Sequence, residues 1–361
     1  MLPSTLLRSS VYRRYYTSRV ELVEDLLRGL SLVLPGRFQD ADLCSQSILS
    51  ALNLVLLYNT HLLERRHDEE EQKRHSDDEK SSRVSFTFND FVKRQYYSSW
   101  ISKTAAICLS IVNYTEVVFE MLLRHKKPAW RWRWITCVEI LKALMRFVLF
   151  RVSENRTVMH PTHIVRNIDP SSFELNTEDK FELSTIDPRV GVPSTSNPDL
   201  LTLTTTTTTT NPGYASSRQG WAHIGELLWI IRPVIYAYMI YRHVQRLSSA
   251  IKEDNEEEER LEKDEEDAWK PWLVSLGIDM LAHLASEMQP MTRLEKEEWK
   301  RRSYLWLYYL FRGPLYIHFT KPLLDTFCDT TENRPLLSVV AGALNDYRPF
   351  WEQSYFYTSA S

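Results

Sequence analysis

The sequence predicts an all-α protein: a helical bundle of amphipathic and membrane-associated helices with a long disordered central linker. Three observations predict it. Apolar residues recur at helical spacing in nearly every well-patterned stretch. No run alternates with the period of a strand. Glycine is scarce, at 9 of 361 residues, which disfavours the turn-rich α/β folds that cradle nucleotides. Hydrophobic residues make up 43% and charged residues 25% of the chain, the proportions of a folded protein.

The elements follow in order. Residues 19–34 place Val20, Val23, Leu26, Leu27 and Leu30 on one helical face, and Pro35-Gly36 ends that helix. Residues 42–64 form a second helix. No formal charge occurs between Leu43 and Leu63, but Ser, Asn, Gln, Thr and His interrupt the run and make it a mediocre membrane span. The mixed-sign stretch 64–83 reads as an exposed loop or a frayed helix extension. Residues 86–123 and 130–151 form a helical hairpin turning at "RHKKPAWRW". Residues 154–220 are rich in Ser, Thr, Asn and Pro, with threonine at every position from Thr204 to Thr210. Such a segment buries too little apolar surface to fold. Helices resume at 221–247, with a kink or break expected at Pro233. The acidic run 253–267 reads as a solvated insert. A helix over 270–288 follows, with Trp269-Lys270-Pro271-Trp272 setting its start. Thr292 and Glu295 form a capping-box pattern for the next helix, which Gly313-Pro314 stops. A shorter helix covers 335–345, and the chain closes on the aromatic "DYRPFWEQSYFY". The expected organisation is an N-terminal helical block (1–152), a linker (153–220) and a C-terminal helical block (221–361).

The hairpin carries the most informative pattern. Its second helix, "WRWRWITCVEILKALMRFVLFR", looks like a membrane span, yet it contains Glu139, Lys142 and Arg146. At about 100° per residue these three fall within about 60° of one another. On the first helix, Asn113, Glu116 and Glu120 cover a similar arc. Folding the two helices antiparallel about Ala129 brings Glu116 level with Lys142 and Asn113 level with Arg146. The expected arrangement buries these polar stripes against each other and leaves the outer faces apolar. As a lone lipid-facing span the second helix fails. Within residues 134–150, three charges at about 2.5–3.5 kcal/mol each outweigh nine Leu, Ile, Phe or Val residues returning about 0.3–0.6 kcal/mol each. A paired or interfacial helix remains open.

Composition and motifs exclude several functions. A net charge of −3 gives no case for nucleic-acid binding. Cys44, Cys108, Cys137 and Cys328 have no metal-ligand spacing and suit a reducing compartment. The basic N-terminus, with Arg8, Arg13, Arg14 and Arg19 before the first acid at Glu21, fits either a mitochondrial presequence or a basic first helix. Ser275, Asp279 and His283 stand four apart like a triad, but read as the polar side of an amphipathic helix without a nucleophile elbow. His283 and Glu287 alone do not make a metal site. The chain reads as a non-enzyme without cofactor or metal. A lipid-modifying enzyme would rest on Asp279 and His283 alone, and a soluble or peripheral helical adaptor is the other alternative.

Several blocks together resemble the peroxin-16 family of peroxisomal membrane biogenesis proteins. They are "LLRGLSLVLPGRFQDADLCSQSILSALNLVLLYN", with Arg28-Gly29 and Gly36-Arg37-Phe38; "IIRPVIYAY", around Arg232-Pro233; "WKPWLVSLGIDM"; "MTRLEKEEWKRRSYLWLYYLFRGPLY"; and the closing aromatic tail. Their order and spacing cover most of the chain outside the linker and charged inserts. The resemblance favours the basic-start reading of the N-terminus. It implies a peroxisomal membrane protein, reached partly through the endoplasmic reticulum, that targets or inserts other membrane proteins with peroxin-3 and peroxin-19 as partners.

Three regions are expected to make contacts with lipid or partners. The first is the basic-aromatic hairpin tip: Arg124, Lys126, Lys127, Trp130, Arg131, Trp132, Arg133 and Trp134. The second is Trp269 and Trp272. The third is the tail, Trp351, Tyr355, Phe356 and Tyr357, which should dock on the helical body or on a partner. Aromatic rings of this kind favour surfaces where one end is apolar and the other wet.

Overall fold

The computed structural model describes residues 25–31, 33–34, 41–75, 88–164, 217–250, 257–331 and 334–359. The possible presequence, most of the central linker and the start of the acidic run lie outside these. Among the described residues the architecture is helical, and the β pairing is a single isolated bridge between Arg156 and Ser217.

Ten helices organise the body: α1 (Ala41–His75), α2 (Phe88–Tyr96), α3 (Trp100–Leu122), α4 (Pro128–Val152), α5 (Trp221–Ala250), α6 (Glu257–Glu287), α7 (Arg293–Tyr304), α8 (Lys321–Thr331), α9 (Pro335–Gln353) and α10 (Tyr355–Thr358). Helices α3 and α4 form the expected hairpin, closed by a 3₁₀ turn at Leu123–His125. Pro128 sits in the first turn of α4, where its missing N–H costs nothing. Helix α5 packs on α4 and on α6, and α1 packs on α3. The N- and C-terminal blocks therefore share one body.

Several boundaries differ from the sequence reading. The helix expected over 86–123 breaks at Tyr97–Ser99, and Ser99 takes an extended conformation ahead of α3. Serine competes for local backbone hydrogen bonds and favours such ends. Helix α1 runs on to His75, so the charged stretch begins as helix. Helix α6 starts at Glu257 and carries Pro271 inside it; the Trp269–Trp272 block does not set its start. Glu, Lys, Arg and Leu are strong helix formers, and the acidic run holds Glu-to-basic spacings of four, such as Glu259 to Lys263. Helix α5 continues through Pro233 without a break. Helix α9 reaches Gln353, well beyond 345, and α8 has no counterpart among the expected elements.

The linker's two ends also belong to the body. Val158, Met159 and Ile164 are buried, and the Met159 N–H donates to the Tyr96 hydroxyl at 2.8 Å. Arg218 is buried at the other end. After α7 the chain tightens through a 3₁₀ segment, Leu305–Phe311, to Gly313. That glycine has φ of +66°, and a Cβ there would lie 3.0 Å from the Trp272 ring. Both facts require glycine. The capping pattern holds: the Glu295 carboxylate accepts the Thr292 N–H at 2.8 Å.

Candidate functional site

The body is arranged inside out. In α4, Glu139 and Lys142 are 0% exposed, whereas Leu144 on the same helix is 57% exposed. Ile140, Leu141 and Phe147 also face outward, as do Leu273, Met280, Leu281 and Leu284 on α6. On these two helices buried charge faces inward and large apolar side chains also lie outside, around an apolar core that includes Ile135, Leu149 and Phe150. This is the inverse of a water-exposed helix and the distribution that lipid requires of ionisable residues.

Most of the interior charges are paired. Lys142 Nζ lies 2.8 Å from Glu116 and 3.1 Å from Glu139, so the expected α3–α4 pairing forms and takes in a second carboxylate. The Asn113–Arg146 pairing does not form. The side-chain amide oxygen of Asn113 has no hydrogen-bond partner among the described residues, and the Arg146 guanidinium lies over the Trp229 ring of α5, 5.5 Å from its centroid. A third helix claims Arg146, and a hairpin considered alone could not supply it. Glu120 turns to the chain terminus. Its two oxygens accept the backbone N–H groups of Tyr355 at 2.7 Å and Phe356 at 2.9 Å, and Arg131 donates to it at 2.5 Å.

A second ionic cluster was not anticipated. Arg302 donates to Glu226 at 2.7 and 2.8 Å, to Glu298 at 3.0 Å and to the Val158 carbonyl at 2.9 Å. It also stacks on Trp229, 3.9 Å from the ring centroid. Burial alone would push the Glu298 carboxyl up, but hydrogen bonding from Arg301 and the charge of Arg302 outweigh it and hold the group below its usual range. Arg218 reaches Glu295 at 3.4 Å, and Arg232 pairs with Asp279 at 2.7 Å. The available signal was the one used for α4: Glu226 and Arg232 are ionisable residues within an otherwise apolar helix.

The triad-like residues part company. Asp279 is held by Arg232, the Ser275 hydroxyl lies 2.9 Å from the Tyr309 hydroxyl, and His283 stacks on Trp299 at 4.2 Å. Burial lowers the pKa of His283. Ser275 and Asp279 are buried, so this is the inward face of α6 rather than a solvated polar side. No cluster of three or more potential metal ligands occurs among the described residues.

The expected contact residues divide. Lys126, Lys127, Trp130 and Arg133 are exposed at the hairpin tip, and Arg124 is half-buried. Trp134 packs near Phe119, and Trp132 meets Tyr355 edge-on at 5.5 Å. Arg131 also donates to the Gln353 carbonyl. The tip thus has an outer surface and an inner side that holds the tail. Tyr355 and Phe356 are buried on the body, and Trp351 donates to the Tyr316 hydroxyl at 3.1 Å. The Tyr357 side chain lies outside the described set. Trp269 and Trp272 pack on each other at 5.7 Å. Trp272 is buried and donates to the Tyr309 carbonyl, so it offers no partner surface.

Among the described residues, three helical stretches are long and apolar enough to cross a membrane: Ala41–His61, Trp100–Leu122 and Trp221–Ser248. The first exceeds what its interrupting polar residues led the sequence reading to expect. Helix α4, with Glu139, Lys142 and Arg146 in its middle, is not among them.

The family model described as peroxisomal membrane protein (Pex16) matches residues 12–353. The chain belongs to the Pex16 family. Two named relatives agree. "Peroxisome biogenesis protein 16" of Arabidopsis thaliana is 21% identical over 387 aligned positions, covering 92% of this chain and 94% of that protein. "Peroxisome biogenesis factor 16" of Dictyostelium discoideum is 31% identical over 147 residues, 38% of this chain and 31% of that protein. No solved structure matches. Membership makes this Pex16-family chain a peroxisomal membrane protein concerned with peroxisome biogenesis, not a member of a known enzyme family.

Proposed function

We propose that this protein is a membrane-embedded scaffold that targets and inserts other peroxisomal membrane proteins by recruiting partner peroxins of the peroxin-3 and peroxin-19 type, acting partly from the endoplasmic reticulum. The observation that supports the reading is the inside-out body. A hydrophobic exterior around paired interior charges suits a helical platform held in lipid. The tip residues Lys126, Lys127, Trp130 and Arg133 then fall where an interface favours basic and aromatic side chains. They are left free to meet headgroups or a receptor.

The test is deletion of the gene in its own host with a fluorescent peroxisomal membrane protein as marker. Loss or mislocalisation of the marker, restored by the wild-type chain, is the expected result. Recovery of peroxin-3 or peroxin-19 type proteins with the chain from mild detergent extracts tests recruitment. Normal marker-positive peroxisomes in the deletion strain would refute the targeting role. Full release of the chain by alkaline extraction would refute the embedding.

A further inference from the structure

A cavity of about 610 Å³ lies between the inner side of the hairpin tip, α5 and the C-terminal tail. This is within the range of small-molecule sites. Four cationic side chains line it, Arg124, Arg131, Arg312 and Lys321, against one carboxylate, Glu352. Glu352 is already engaged by Lys321 at 3.5 Å and Arg348 at 3.0 Å, and Arg131 is matched by Glu120. Neither Arg124 nor Arg312 has a carboxylate partner among the described residues.

The hydrogen-bond inventory points the same way. Arg124 Nη2, Arg131 Nε, Arg312 Nε and the Ser354 hydroxyl are all buried donors without a partner among the described residues, and all four residues line this one cavity. Arg312 is 7% exposed and Ser354 2% exposed. The Arg312 guanidinium lies against both Tyr236 and Tyr309, 4.4 Å from each ring centroid, and its Nη atoms reach the Ser275 hydroxyl at 3.3 Å and the Ser359 carbonyl at 3.5 Å, which leaves the Nε–H as its open donor. A buried guanidinium without a counter-ion is costly, and guanidinium N–H groups suit the oxygens of a phosphoryl group. Ile240 and Ile317 add apolar surface to the lining, and Ile317 is 60% exposed. The exposed Lys126, Lys127 and Trp130 stand at the neighbouring tip.

We infer that this cavity binds the phosphoryl headgroup of a membrane phospholipid, with Arg124 and Arg312 on the phosphoryl oxygens and the acyl chains leaving past Ile240 and Ile317. The inference does not rest on the targeting role. The test is native mass spectrometry of the full chain in maltoside micelles with dioleoylphosphatidic acid, dioleoylglycerol and inorganic phosphate as separate probes. One phosphatidic acid should be retained per chain. Arg124→Gln and Arg312→Lys should each weaken retention about tenfold, and Arg151→Gln, exposed at the far end of α4, should leave it unchanged. Arg124→Gln decides the matter if Arg312→Lys fails to fold, because Arg124 is only half-buried. Binding of inorganic phosphate at millimolar concentration with the same sensitivity to Arg124→Gln would keep the phosphoryl site and assign its source to soluble phosphate. Equal retention of dioleoylglycerol, equal loss with Arg151→Gln, or no retention of any probe would overturn the inference.

Discussion

Replacing Lys142 with methionine should be among the most damaging single changes available to this fold. The ammonium is fully buried and sits 2.8 Å from Glu116 and 3.1 Å from Glu139. Methionine fills much the same volume, so little is lost in packing, but two buried carboxylates then share a site without their counter-ion. Breaking a buried ion pair from one side typically costs about 3–5 kcal/mol. At about 2–4 °C per kcal/mol for chains approaching this size, the melting temperature should fall by at least about 6 °C. The assay is thermal unfolding of the full chain in detergent, followed by tryptophan fluorescence. Adding Glu116→Gln to Lys142→Met should cost less than the sum of the two single changes by about 1 kcal/mol or more, since directly contacting residues couple. Reversing both charges, Lys142→Glu with Glu116→Lys, should rescue only in part, because Glu139 still faces position 142. A melting temperature within about 1 °C of wild type for Lys142→Met would refute the buried network.

Other outcomes can be stated from the same contacts. Glu120→Ala removes the acceptor of two backbone N–H groups of the tail, hydrogen bonds to a charged group worth about 1.5–3 kcal/mol each. The chain end should become cleavable by chymotrypsin at Tyr355 and Phe356 under conditions where the wild-type tail survives. Gly225→Val places a side chain where a Cβ already lies 2.9 Å from the Ala282 carbonyl and 3.0 Å from the Ala285 Cβ. It should separate α5 from α6 and cost about 1–3 kcal/mol in unfolding. His163, bonded through its ring nitrogens to Ser110 and Tyr114 at 3.1 Å each, has its pKa pushed down to about 4 by burial. The unfolded chain therefore binds the extra proton first. Stability should be complete above about pH 6.5 and fall toward pH 4, by no more than about 1.4 kcal/mol per pH unit. His163→Asn should make that acid limb shallower in pH-dependent melting curves, the rest coming from His160, whose pKa burial also pushes down to about 4; an unchanged limb would exclude His163 as a source.

Much of the secondary structure was legible because it rests on local rules. The hairpin, the turn at Pro128 and the Thr292 start each follow from spacing, capping or backbone freedom within a few residues. The misplaced boundaries are cases where local signals conflict. The α-helix expected to run to Gly313 ends at Tyr304 and gives way to a 3₁₀ segment, and Pro271, read as part of a helix start, lies inside α6 because strong helix formers precede it. The Lys142–Glu116 pairing was readable because a tight hairpin fixes its own register. Glu120 and Arg146 fell on the correct stripe but found different partners, from the tail and from α5, neither of which the hairpin contains.

The sequence by itself determined that the protein is helical, that its apolar helices carry polar stripes and that those stripes must be buried together. Helical period and the cost of an unpaired charge in an apolar medium leave little alternative. Only the tertiary structure decided which charges meet. Arg302 of α7 draws Glu226 from α5 and the Val158 carbonyl from the end of the linker, Glu120 closes on a tail more than two hundred residues away, and Arg312 lies against Tyr236 and Tyr309. Such pairings depend on how helices distant in sequence pack, and local periodicity carries no information about that choice.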